Sequence, residues 1–119
     1  MAHLQSDLRE FIGLLNSLKV EYLVVGGHAV AFHGHPRFTG DIDFFIRASG
    51  ENRIDILTSI SGVDFESAWT SRVPADLDGY AVNFIGADEL LKNKQASGRP
   101  KDLADASKLR AVAKRKGAG

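Results

Sequence analysis

A glycine pair closing one apolar run, and two carboxylates one residue apart opening the next, constrain this chain more than anything else in it. Tyr22-Leu23-Val24-Val25 leads into Gly26-Gly27-His28, and Thr39-Gly40-Asp41-Ile42-Asp43-Phe44 leads into a second apolar run ending at Ile46. Alternate residues of a strand share a face, so Asp41 and Asp43 are expected to project together while Ile42, Phe44 and Phe45 pack elsewhere. The large apolar neighbours place the two acids at a buried strand end. Two like charges held so close are costly without a cation. Paired carboxylates are hard oxygen ligands of the kind Mg²⁺ takes when it also binds phosphates. The glycine pair offers backbone N–H groups at a helix start, where an anion is welcome.

A chain of 119 residues, 44% of them apolar, suffices for one small domain with one modest core. Its formal net charge is zero, which gives no global attraction to nucleic acid or membrane, but the charge is unevenly spread. From Lys92 onward there are nine basic residues and two acidic ones, Asp102 and Asp105. That segment reads either as a solvated helix and tail or as a cationic wall facing phosphates. With no cysteine, disulfides and thiolate zinc sites are excluded, and a reducing compartment is compatible. No apolar run approaches the roughly 18–20 residues that cross a membrane, and the first residues lack a signal-peptide pattern, so the expected location is the cytoplasm.

Residues 6–19 read as an amphipathic helix, with Ser6 as N-cap and Leu8, Phe11, Ile12, Leu15 and Leu18 at helical spacing. Strands are expected at Tyr22–Val25, Ile42–Ile46, Ile54–Leu57 and Tyr80–Ile85. A short helix is expected from His28 to His33, with a loop over Pro36–Gly40. Gly62–Trp69 fits neither template, and Asp78-Gly79 marks a turn. Asp88 is placed to cap a helix reaching Lys94. Gly98-Arg99-Pro100 breaks it, and a last helix, Lys101–Arg115, sets Leu103, Ala106, Leu109 and Ala113 on one face. The expected class is α/β in the broad sense (α+β), with a small mixed sheet flanked by helices.

Two runs carry a resemblance to a known family. The first is Gly26-Gly27-His28-Ala29, His33-Gly34, Pro36-Arg37, Thr39 and Asp41-Ile42-Asp43, with 13 residues between the glycine pair and Asp41. The second is Asp88-Glu89-Leu90-Leu91, Lys94 and Gly98-Arg99-Pro100-Lys101-Asp102-Leu103-Ala104-Asp105. The chain resembles the nucleotidyltransferase superfamily related to DNA polymerase β, and within it the small stand-alone members (minimal nucleotidyltransferases and AbiEii-like proteins). The resemblance implies the nucleotidyltransferase fold. It implies transfer of a nucleoside monophosphate from an NTP, ATP by preference, to a hydroxyl. Mg²⁺ or Mn²⁺ would be held by Asp41 and Asp43.

A third carboxylate commonly completes that site in the superfamily. Asp55, lying between Ile54 and Ile56, has the strand parity for it and would serve as metal ligand or general base; Asp64 and Asp76 read as loop residues, and Asn83 lacks the charge. By the same resemblance, Gly26 and Gly27 would admit the β- and γ-phosphates. His28 would cap that loop, Thr39 would bond a phosphate or brace the loop, and Arg37 would neutralise substrate charge. Lys94, with Arg99 beside it, would reach the triphosphate or shape the nucleotide cleft. Asp102 and Asp105 are expected to pair locally with Arg99 or Lys101. A zinc site at His33 and His35 lacks partners at workable spacing. Trp69 reads as a packing residue.

The chain departs from the family between the second and third strands, where Arg47–Arg53 is too short for the usual helix. Such an abbreviation would bare one sheet face and invites a cognate partner protein or a homodimer. Related proteins act in toxin–antitoxin or defence systems on a protein or a tRNA end, so a protein or tRNA acceptor is expected. Two rival readings stand beside the enzyme: a catalytically degenerate module that binds nucleotide or partner, and an RNA-binding domain that uses the basic C-terminal segment.

Overall fold

A computed structural model describes residues 6–34, 42–47 and 60–117. These form an α+β domain in the order α1 (Ser6–Ser17), β1 (Tyr22–Val25), α2 (Gly26–Phe32), β2 (Asp43–Ile46), α3 (Phe65–Thr70), β3 (Val73–Leu77), β4 (Tyr80–Phe84), α4 (Ala87–Ser97) and α5 (Pro100–Gly117). The described strands make one mixed sheet, β2-β1-β4-β3. β1 runs antiparallel to β2 and parallel to β4, and β3–β4 is a hairpin closed at Asp78-Gly79.

β1 has a continuous apolar sequence because both its faces are covered, and all four of its residues are buried. Phe44 and Phe45 are successive strand residues and so serve opposite faces. Phe44 meets Phe11 of α1 edge-on at 5.3 Å, and Phe45 meets Phe65 of α3 at 4.9 Å. On the α1 side, Tyr22 donates its hydroxyl to Asn16 Oδ1 and Asn16 Nδ2 donates to the Ala81 carbonyl, both at 2.9 Å. Burial pushes the Tyr22 phenol up to about 12. Ile12, Leu15, Leu23, Val24, Val30, Phe45, Ile46, Ile85 and Leu90 are fully buried at the centre. Arg47, just past β2, donates to Glu21 and Glu66 and lies over the Phe65 ring, tying three elements together.

Several expectations shift. α1 stops at Ser17, and Lys19 takes φ +57 in the turn that follows. α2 begins at the glycine pair itself rather than after it. The ambiguous 62–69 stretch resolves into a bridge between Ile60 and Val63 and then α3, whose N-cap is Asp64; its carboxylate accepts from the Ser67 N–H at 3.1 Å. Asp76 lies in β3, a strand the sequence reading lacks, and accepts from the Gly79 N–H at 3.2 Å. Gly86, not Asp88, is the N-cap of α4, with Asp88 and Glu89 in the first turn. Gly98 ends α4 in the left-handed region at φ +69, and Pro100 occupies the first position of α5, where its missing N–H costs nothing. The expected strand Ile54–Leu57, and with it the abbreviation after β2, lies outside the described residues.

Candidate functional site

Because β1 and β4 are parallel and β2 runs against them, the C-terminal ends of β1 and β4 and the start of β2 share one sheet edge. Open sheets with helices against them bind ligands at such an edge. The Ile85 N–H donates to the Val24 carbonyl at 3.0 Å, holding the two parallel strands together there. His33 Nε2 lies 2.7 Å from the Ile85 carbonyl. A carbonyl can only accept, so this nitrogen carries the proton and pins the end of α2 to the end of β4.

At this edge Val25 is paired with Asp43, and Asp43 leans onto the next residue, Gly26. A Cβ at Gly26 would stand 2.3 Å from Asp43 Oδ2 and 3.2 Å from its Cγ, and Gly26 has φ +69. Glycine is thus required both for space and for backbone conformation. Val25 provides no side-chain cap for α2, whose first residue is Gly26. Asp43 is exposed, not at a buried strand end as its apolar neighbours suggested: β2 buries only Phe44, Phe45 and Ile46. Its carboxylate has no hydrogen-bond or ion-pair partner among the described residues. His28 stands half-buried in the first turn of α2, and Gly27 is buried.

Asp41, Asp55, Arg37 and Thr39 lie outside the described residues. Asp43 is therefore the one described member of the proposed carboxylate set, and no group of three metal-ligating side chains occurs among the described residues. What Asp43 does offer fits a cation: an exposed carboxylate at a helix start, without a partner among the described residues.

The second motif folds into a charge network that joins α4 to α5. Lys94 is buried at 6% exposure, with its ammonium 3.0 Å from Asp102 Oδ1 and 3.3 Å from Asp105 Oδ2. In this arrangement Lys94 is held between α4 and α5. Arg99, largely exposed, donates from Nε to Asp102 Oδ2 at 2.9 Å, and Ser97 donates its hydroxyl to the same oxygen. Burial by itself would raise the Asp102 pKa. The bonds from Ser97, Lys94 and Arg99 outweigh it and hold the group at about 2. The expected pairing of Asp102 with Arg99 is present, and the lysine both acids share is Lys94 rather than Lys101. Burying these two acids rotates α5 away from its expected apolar face: Ala106, Leu109 and Val112 point inward, whereas Leu103 and Ala113 are exposed. Ser97 escaped sequence reasoning because only the fold brings its hydroxyl to Asp102.

Trp69 packs, as expected. It stacks on Phe65 at 5.8 Å, and the Arg72 guanidinium lies 4.0 Å above its ring. It also borders an open cleft of about 470 Å³ with Asn16, Tyr22, Pro74 and Asn83, towards the N-terminal end of β1 and so away from Gly26 and Asp43. Among the described residues no helix is long and apolar enough to cross a membrane. Compared with known proteins, the chain matches no family model and no curated protein.

Proposed function

We propose that this chain is a minimal nucleotidyltransferase that moves a nucleoside monophosphate from an NTP, by preference ATP, to a hydroxyl of a protein or RNA acceptor. The observation that carries the reading is the contact of Asp43 with Gly26. A carboxylate with no partner among the described residues, held against the first residue of a helix, repels a phosphate unless a cation stands between them, and a metal-bound triphosphate supplies that combination. The mixed four-stranded sheet, with helices starting from the same edge, is compatible with the small nucleotidyltransferase fold.

In the transfer, the acceptor oxygen bonds to the α-phosphorus and the bond from that phosphorus to the α,β-bridging oxygen breaks, so pyrophosphate leaves. The hydroxyl proton passes to Asp55, the base implied by the resemblance. Gly26 and Gly27 present backbone N–H groups to the β- and γ-phosphates. By the resemblance, Arg37 neutralises substrate charge, Thr39 bonds a phosphate or braces its loop, and His28 caps the phosphate-binding turn. Asp41, Asp43 and Asp55 are the residues that would hold Mg²⁺ or Mn²⁺, which when bound supplies charge neutralisation for the triphosphate. Modification of a cognate protein or of a tRNA end, within a toxin–antitoxin or defence system, is the biological role that the sequence resemblance suggests.

A degenerate module that binds nucleotide without turnover is the second reading. It is favoured by Lys94, whose charge is taken up by Asp102 and Asp105. Incubating the chain with α-labelled ATP, Mg²⁺ and a cell lysate, beside Asp43→Asn, separates the two. Label in a protein or RNA band, lost in the variant, supports the transferase. Magnesium-dependent nucleotide binding with all four NTPs silent in transfer supports the second reading.

A further inference from the structure

The charges of α5 are sorted by face. Asp102 and Asp105 turn inward and meet Lys94. Lys101, Lys108, Arg110, Lys114 and Arg115 are all exposed, and none has an ion-pair partner among the described residues. Residues 100–117 hold six cations and two carboxylates, against nine and thirteen in the rest of the chain. A chain of zero net charge thus joins a segment of charge +4 to a body of charge −4. Lys101, Lys108 and Arg115 recur every seven residues and form one flank of the exposed face, about 21 Å long. Arg110 and Lys114, one turn apart, form the other flank. Between them run the short side chains of Ala104, Ser107 and Ala111, all exposed.

We propose that this face of α5 docks double-helical RNA, with the two flanks reaching phosphates on either side of the shallow groove. An unpaired cationic row on a neutral chain fits a polyanion by charge complementarity. Single strands are held by aromatic stacking, and α5 carries no aromatic residue. A lipid surface takes an apolar face, yet Leu103 is the one large apolar side chain that α5 exposes, its other large apolar residues being buried. The major groove of B-DNA is about 8.5 Å deep and is read by side chains that reach the base edges, whereas the ridge of α5 between its two flanks carries only alanines and a serine. The minor groove of A-form RNA is wide and shallow and suits a low ridge of small residues with cations on both sides. This binding does not depend on the transfer chemistry proposed above.

The test is fluorescence anisotropy of the full chain with an RNA duplex of about 16 base pairs. With four phosphates neutralised, affinity should fall about 150-fold between 50 and 200 mM salt. The double variant Lys108→Glu/Lys114→Glu takes one cation from each flank. It should bind at least about tenfold more weakly and lower the logarithmic salt slope by about 2, with an unchanged circular dichroism spectrum and Tm. Lys19→Glu, outside α5, should bind within about twofold of the native chain if the effect belongs to α5 rather than to net charge. Absence of RNA binding at 50 mM salt, native affinity in the double variant, equal affinity for a DNA duplex of the same length, or equal capture by phosphatidylserine vesicles would each overturn the proposal.

Discussion

Replacing Lys94 by methionine keeps the length of the side chain and removes the ammonium between Asp102 and Asp105. All three groups are 6% exposed or less, at separations of 3.0 and 3.3 Å. Removing one member of a buried ion pair typically costs about 3–5 kcal/mol, because the charges left behind have lost water and partner together. Ser97 and Arg99 still reach Asp102 Oδ2, which puts the expected cost near the lower end, about 3 kcal/mol. That is a large share of the roughly 5–15 kcal/mol that stabilises a domain. In a urea titration followed by the fluorescence of Trp69, an m-value of about 2 kcal/mol/M turns it into a midpoint shift of about 1.5 M. Adding Asp105→Asn to Lys94→Met should cost less than the sum of the two single changes, with a coupling of about 1 kcal/mol or more. A midpoint within about 0.3 M of the native one, together with weakened binding of magnesium-ATP, would refute the reasoning. The lysine would then face the nucleotide, as the sequence resemblance implies.

Gly26→Ala meets two obstacles, φ +69 and an Asp43 oxygen 2.3 Å from the new methyl, whereas Gly79→Ala meets φ +88 with nothing within 4 Å. Both should lose about 1–2 kcal/mol to backbone strain, and Gly26→Ala should also displace Asp43 and weaken magnesium-dependent nucleotide binding; equal stability and equal binding in the two variants would refute the contact. Asp102 is held at about 2 against an ordinary 3.8, so its contribution is fully present above about pH 4 and is lost as pH falls through about 2. The linkage is worth about 2 kcal/mol. Unfolding free energies measured from pH 5 to pH 2 should show this loss in the native chain and a flatter dependence in Asp102→Asn, and parallel curves would count against the network.

The parts of the fold visible in the sequence are those fixed by local chemistry. Tyr22–Val25 is apolar at every position and could only be a strand covered on both faces. Gly98 followed by Pro100 marks the α4–α5 corner by backbone preference alone. β3 was invisible because Val73-Pro74-Ala75-Asp76-Leu77 is an edge strand with a proline in it, and only its pairing with β4 makes it one. Asp64 looked like a loop acid until α3 supplied the Ser67 N–H that it caps. The inward turn of Asp102 and Asp105 was unreadable for a related reason. Charged residues on a helix are expected outside, and the cation that draws these two inward lies on a different helix.

The two runs that carry the sequence resemblance separate on physical grounds once their charges are followed. In the second run Lys94 meets both aspartates, and Ser97 and Arg99 meet Asp102, and the product of that arrangement is a fixed α4–α5 junction. In the first run Asp43 satisfies nothing among the described residues, while the chain keeps a glycine at positive φ beneath it. An asparagine at 43 would pack against Gly26 at least as well, without placing a charge there. Among the described residues, folding therefore gives no reason for a carboxylate at this point of the sheet edge, and a group that departs from local economy without a stabilising return is where chemistry is to be sought. It follows that Asp43→Asn should leave the unfolding free energy within about 0.5 kcal/mol of its native value, while abolishing whatever depends on a cation at that edge. A stability loss as large as that of Lys94→Met would show Asp43 to be a structural acid and would remove the observation on which the transferase reading rests.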